Sequence, residues 1–267
     1  MKIFSLGIPL ARWLTRRHAS RVFARFDATI QFESRDGLLW AITTRDNPGA
    51  YRAMVDALPD WAVIARSDFC DEAISALLIG DCFAHTARND ARVLWDPRPR
   101  SRTLHEYERV IAAWEIALAM HDLPDALGFW DLLAENWEQI RDGLHQRDVA
   151  HLRGIFARLI GRGPGLTPTG DDFAQALLVT LRTGDAADRA AFRALARAIV
   201  PVLPNTTRAS QQFLREALSG YAFGALKNLL DELPNLSPVT MQKLLRVGAT
   251  SGHAYTLGVL MGLDSTL

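Results

Sequence analysis

The feature that most constrains this fold is a change of hydrophobic period at Asp96-Pro-Arg-Pro-Arg100. Two prolines so close together continue neither a helix nor a sheet ladder, and the chain has a different texture on each side of them. Before them come short β-favouring runs: Ala28-Thr-Ile-Gln-Phe32, Leu38-Leu-Trp-Ala-Ile-Thr-Thr44, Trp61-Ala-Val-Ile-Ala65 and Ala91-Arg-Val-Leu-Trp95. Turn signals at Arg35-Asp-Gly37 and Asp46-Asn-Pro-Gly49 punctuate them, the pattern of an antiparallel β region. A short helix is expected around Tyr51 to Leu58. After the prolines a 3.6-residue period takes over, with Leu104, Tyr107, Val110, Ile111, Trp114, Leu118 and Met120 forming one apolar stripe. Further helices are expected at 125–144, 147–161, 171–183, 186–202, 206–232 and 237–262. The expected fold is α+β: a β-rich, barrel- or sandwich-like domain over 1–100, then a larger all-helical domain over 101–267.

Charge and composition narrow the function classes. Thirty basic and thirty acidic side chains cancel, so no net field draws the chain to nucleic acid or to an anionic membrane. The two cysteines, Cys70 and Cys82, have no Cys/His ligand pattern beside them and read as reduced, buried thiols. Arginines 12, 16, 17, 21 and 25 give the stretch from Met1 to Phe26 some likeness to a transit peptide. Its basic run follows the apolar stretch and no small-residue cleavage site closes it, so it reads as a basic amphipathic segment packed on the protein, in the cytoplasm.

Three clusters carry the candidate chemistry. The first is Gly161-Arg-Gly-Pro-Gly-Leu-Thr-Pro-Thr-Gly-Asp-Asp-Phe173, a loop with four glycines that runs into a helix. Free N–H groups at a helix start and a glycine-rich approach make a candidate anion seat, with Gly163, Gly165, Thr167 and Gly170 lining it. Thr169 is a candidate N-cap with Asp172 in the capping-box position. Asp171 and Asp172 would repel a bare anion, so one of them is expected to hold a cation or to accept N–H bonds from an amide substrate. No cofactor is called for with certainty; the candidate ion is Mg or a monovalent cation, at Asp171 and Asp172.

The second cluster is Pro204-Asn-Thr-Thr-Arg-Ala-Ser210. Thr206 or Thr207 suits a helix N-cap. Arg208, unfavourable to the dipole in a first turn, has the planar fork that suits a carboxylate or phosphate, and Ser210 shares its turn. The third is Gly248-Ala-Thr-Ser-Gly-His-Ala-Tyr-Thr-Leu-Gly258, where Thr250, Ser251 and His253 put polar groups into an apolar stretch and small residues permit close helix packing. His18, His85, His105, His121, His145 and His151 show no spacing that suggests a metal site or a triad. No Walker loop, dinucleotide fingerprint, nucleophile elbow or His-Glu-x-x-His helix is present.

In this order the three clusters resemble the AllH family, formerly a domain of unknown function. Its pattern is similar to Gly165-Leu-Thr-Pro-Thr-Gly-Asp-Asp172, then Thr206-Thr207-Arg208-Ala209-Ser210, then the glycine-rich stretch from Gly248 to Gly258. The resemblance covers mainly residues 150–267. The family often has an acidic residue soon after the late Ser-Gly, where this chain has His253-Ala254. The resemblance implies a subunit of oxamate carbamoyltransferase in anaerobic allantoin breakdown, a branch of purine catabolism. That reaction links oxalurate plus phosphate with oxamate plus carbamoyl phosphate. It implies other transferase subunits as partners, one of them acyl-CoA-synthetase-like, and a small carboxylate or amide substrate with phosphate. Thr169, Asp171 and Asp172 are then the candidate catalytic residues. Thr206, Thr207, Arg208, Ser210, Ser251 and His253 join the loop glycines and Thr167 as candidate substrate contacts. The alternative is a non-catalytic scaffold subunit whose loop binds a small anion or nucleotide.

Overall fold

The computed structural model describes residues 3–14, 20–44, 46, 48–58, 94–101, 103–105, 108–110, 112, 116, 124 and 126–264. The chain forms two compact units, Met1–Pro97 and Arg98–Leu267.

The first unit is built on β1 (Ile3–Gly7), α1 (Ile8–Leu14), β2 (Ser20–Phe26), β3 (Thr29–Ser34), β4 (Leu39–Thr43), β5 (Arg52–Val55) and β6 (Leu94–Trp95). Its strands form one sheet in the order β2-β3-β4-β5-β1-β6. The sheet is mixed, not antiparallel throughout: β4 pairs with β5, and β1 with β6, in parallel. Between them Ile30, Phe32, Trp40, Ile42, Ala53 and Val55 make a core with Leu10 and Leu14 of α1. Phe32 and Trp40 stack at 4.3 Å, and the Trp40 indole N–H donates to Ser20 Oγ at 3.0 Å.

A further expectation is corrected here. The stretch 51–58 contains strand β5, not a helix; its backbone groups complete the ladders of β1 and β4, and tertiary pairing overrides a weak local preference. The basic N-terminal segment begins with β1, and α1 after it buries Leu10, Ala11 and Leu14 in the core of this unit. The expected strand at 61–65, Cys70 and Cys82 lie outside the described residues.

The second unit is helical: α2 (Phe129–Gln146), α3 (Val149–Leu159), α4 (Thr169–Thr183), α5 (Ala186–Ile199), a 3-10 turn (Val200–Asn205), α6 (Arg208–Leu218), α7 (Gly224–Glu232), α8 (Pro238–Leu245) and α9 (Ser251–Asp264). Helix α4 is the axis of this unit, buried from Thr169 through Leu181, as a helix covered on all sides must be. α9 lies against it so closely that a Cβ on Gly258 would stand 2.4 Å from the Phe173 carbonyl oxygen. The small residues of the third cluster thus do serve close packing. The expected helix over 206–232 is two helices, α6 and α7, parted at Gly220 (φ +82°). Likewise 237–262 splits into α8 and α9 around Gly248 (φ +59°). Positive φ ends a right-handed helix at the residue that adopts it.

Candidate functional site

All three sequence clusters meet at the N-terminus of α4. Helix α4 starts at Thr169 with Pro168 as its N-cap residue, so Thr169 is not the cap and no capping box forms. The Thr169 hydroxyl, fully buried, instead pairs with the Thr250 hydroxyl at 3.0 Å. That bond joins the first cluster to the third.

The loop folds back onto its own helix. Gly163 has φ +111°, and a Cβ there would sit 2.4 Å from Thr169 Oγ1, so only glycine fits without strain. A Cβ on Gly170 would lie 2.0 Å from the Leu159 carbonyl oxygen, at the end of α3. Gly165 (φ +89°) has open space around it and is exposed. The Gly170 N–H donates to the Arg162 carbonyl at 2.9 Å, while the N–H groups of Asp171 and Asp172 both donate to Pro168 O. These first-turn donors are therefore engaged by main-chain carbonyls. The helix start offers an anion far fewer N–H groups than the sequence led one to expect.

What the corner presents instead is two buried carboxylates, each about 1–2% exposed. Asp171 Oδ1 accepts from the Gly161 N–H at 2.8 Å, and Asp171 Oδ2 accepts from the Thr206 hydroxyl. Both its oxygens are occupied, and they tie the loop and the second cluster to α4. Burial raises its pKa above the ordinary value, opposed by the bonds from Thr206 and Gly161 and by the nearby Ser210 hydroxyl. Ser210 Oγ is itself buried without a hydrogen bond of ordinary geometry.

Asp172 differs. Its Oδ1 accepts from the Tyr255 hydroxyl at 2.7 Å, whereas its Oδ2 is buried with no hydrogen-bond partner. Burial is the main force raising its pKa from 3.8 to about 7; Ser251 and Tyr255 oppose it, the Asp171 charge adds to it, and Thr167 opposes it. The Ser251 and Thr167 hydroxyls thus face the carboxylate closely enough to favour its charge, yet outside ordinary hydrogen-bond geometry. Both are half-buried and form the rim in front of it.

Around this pair the second cluster divides. Thr207, not Thr206, caps α6, its Oγ1 accepting from the Ser210 N–H at 3.1 Å while its hydroxyl donates to the Leu166 carbonyl at 2.6 Å. Arg208 is exposed in the first turn of α6, and His253 is half-buried in the first turn of α9. Tyr255 is the residue that sequence reasoning missed as a partner of the carboxylate corner, whereas Thr250, read from the sequence as a polar group in an apolar stretch, proves to hold Thr169. Tyr255 lies four residues after Ser251, on the same helical face, a spacing that was there to be read. The Tyr255 ring packs on Phe223 at 4.7 Å between centroids, which fixes its hydroxyl on Asp172.

A cavity in this unit lies elsewhere, at the C-terminal end of α4, lined by Arg109, Thr180, Thr183, Asp188, Gly262 and Leu263 among others. Arg109 there is spent on a buried ion pair with Asp188. The unpartnered carboxylate oxygen of Asp172 is at the other end of the helix. Among the described residues no group of three or more His, Cys, Asp or Glu side chains is placed to hold a metal ion, and no helix is long and apolar enough to cross a membrane.

Chemically the corner can bind a ligand that donates N–H groups or carries positive charge, at Asp172 Oδ2, beside a rim of hydroxyls. No solved structure matches the chain. Residues 159–263, the segment that holds all three clusters, match the family model of AllH, described as oxamate carbamoyltransferase subunit AllH.

Proposed function

We propose that this chain is a working subunit of an oxamate carbamoyltransferase-like enzyme of the cytoplasm, and that its substrate-handling residues are those of the Asp171–Asp172 corner. The observation that carries the proposal is the convergence of the three clusters on two adjacent buried carboxylates, Asp171 held by the loop and by Thr206, and Asp172, which Tyr255 reaches and whose Oδ2 has no hydrogen-bond partner. A purely architectural aspartate would have both oxygens engaged, as Asp171 has.

Carbamoyl transfer from oxalurate forms a bond between a phosphate oxygen and the carbamoyl carbon and breaks the bond from that carbon to the nitrogen of oxamate. The departing nitrogen takes up a proton, and the carbonyl oxygen carries negative charge in the transition state. The Thr167 and Ser251 hydroxyls at the rim supply donors for such an oxygen. Arg208, exposed in the first turn of α6, suits the carboxylate or phosphate of the substrates. Partner subunits, one of them acyl-CoA-synthetase-like, complete the enzyme.

A second reading draws on a different observation. Three first-turn N–H groups of α4 and both oxygens of Asp171 bind the chain itself, which suits a non-catalytic scaffold subunit in which this loop is architectural and a partner performs the chemistry.

The test is reconstitution with the partner subunits, with carbamoyl phosphate measured from oxalurate and phosphate. Formation that requires this chain, and falls when oxamate competes, supports the proposal. A complex that turns over at the same rate without the chain refutes it.

A further inference from the structure

We infer that Asp172 Oδ2, with the hydroxyl oxygens of Thr167 and Ser251, is a binding site for a monovalent metal cation. The argument starts from charge. Asp171 and Asp172 are adjacent, buried carboxylates, and the groups acting on them are the hydroxyls of Thr167, Thr206, Ser210, Ser251 and Tyr255, the Gly161 N–H and, on Asp172, the Asp171 charge. None of these is a lysine, arginine or histidine. A carboxylate taken out of water without a counter-charge is costly, and proteins that retain one pair it or coordinate a cation with it.

Two atoms point to where the charge belongs. Asp172 Oδ2 is buried without a partner, and so, on the neighbouring carboxylate's side, is Ser210 Oγ. The available donors are all oxygens, the set that hard cations take. The charge of the ion follows from how many carboxylate oxygens are open. Asp171 has none to give, since Gly161 and Thr206 hold both, and Asp172 has one, since Tyr255 holds the other. One carboxylate oxygen and neutral hydroxyls suit an ion of charge one whose hydration shell protein oxygens replace. Mg²⁺ dehydrates reluctantly and keeps an octahedral shell with several waters, a poor match for a carboxylate about 1% exposed. Thr167 and Ser251, half-buried at the rim, give the ion its way in. Such a cation would also let an anionic substrate approach two carboxylates that otherwise repel it. The inference needs the corner to bind a ligand; it does not need the reaction to be carbamoyl transfer.

The experiment is thermal melting of the full chain at pH 8 in KCl, NaCl, MgCl₂ or tetramethylammonium chloride at matched ionic strength. K⁺ or Na⁺ should raise Tm saturably by roughly 3–8 °C over tetramethylammonium. Asp172→Asn should abolish that rise, and Ser251→Ala should move its midpoint to higher salt while keeping the carboxylate. Should Asp172→Asn fail to fold, Ser251→Ala and Thr167→Val carry the test alone. Equal melts in all four salts would overturn the inference, as would a rise with Mg²⁺ only or an alkali-cation response untouched by all three substitutions. No step of the measurement uses carbamoyl phosphate, so its failure is distinct from failure of the proposed reaction.

Discussion

Asp171 and Asp172 are neighbours in the chain with different duties. Asp171 is a joint, its two oxygens holding Gly161 and Thr206; Asp172 keeps one oxygen open, and its pKa is raised by burial from 3.8 to about 7. The sign of the stability effect follows. Below about pH 4 the carboxyl is protonated in folded and unfolded chain alike, and stability is whole. Between about pH 4 and 7 the unfolded chain sheds the proton that the folded chain keeps, so stability falls as pH rises. Above 7 the loss levels off, at most on the order of 4 kcal/mol at about 1.4 kcal/mol per tenfold. In buffer free of alkali cations, Asp172→Asn should therefore flatten the fall in Tm from pH 4 to 8 and melt higher than the parent at pH 8. A parent-like pH slope in that variant would contradict the assignment. Tyr255→Phe removes a donor that favours the charged form, and should move the midpoint of the fall to higher pH.

At the scale of elements, the corner is held by short side-chain ties between helix starts. Thr207 caps α6 and also donates to Leu166 in the loop. Thr207→Ala should cost about 1–2 kcal/mol in urea unfolding and loosen the loop, read as faster amide exchange at the Gly163–Thr167 backbone. Gly170→Ala is a harsher change, since its Cβ would stand 2.0 Å from a carbonyl oxygen of α3; a loss of about 3 kcal/mol or more is expected. The same elements show what sequence could reveal. The loop, Thr206–Ser210 and the start of α9 were legible as polar or glycine-rich clusters in apolar surroundings. The break between α6 and α7 was hidden because apolar spacing continues on both sides of Ser219-Gly220, and the positive φ of Gly220 only becomes visible in the fold. Thr169 looked like a cap because its residue type fits one; Pro168 holds that place because the loop drives the Thr169 hydroxyl inward to Thr250. The parallel pairings of the first unit were illegible, since period-two patterning marks a strand but not its partner's direction.

For the whole molecule, the change of period at the double proline did forecast a β-rich region followed by a helical one. The three clusters and the family match fall within the second unit. That unit also carries a structural ion pair, Arg109 with Asp188, both buried, at the opposite end of α4 from the carboxylate corner. Asp188→Asn removes the nearest carboxylate charge from the buried Arg109 guanidinium, leaving Asp185 at 3.7 Å, so a loss of about 3 kcal/mol is expected, while the folded fraction should keep its ligand response. Ligand handling is thus assigned to the N-terminal end of α4, away from this ion pair. The most direct test of that assignment is the rate of carbamoyl phosphate formation from oxalurate and phosphate by the reconstituted complex carrying Asp172→Asn, with subunit assembly measured in parallel. The account predicts a complex that assembles normally and is slowed by ~10²-fold or more; an assembled complex running at the parent rate would contradict it.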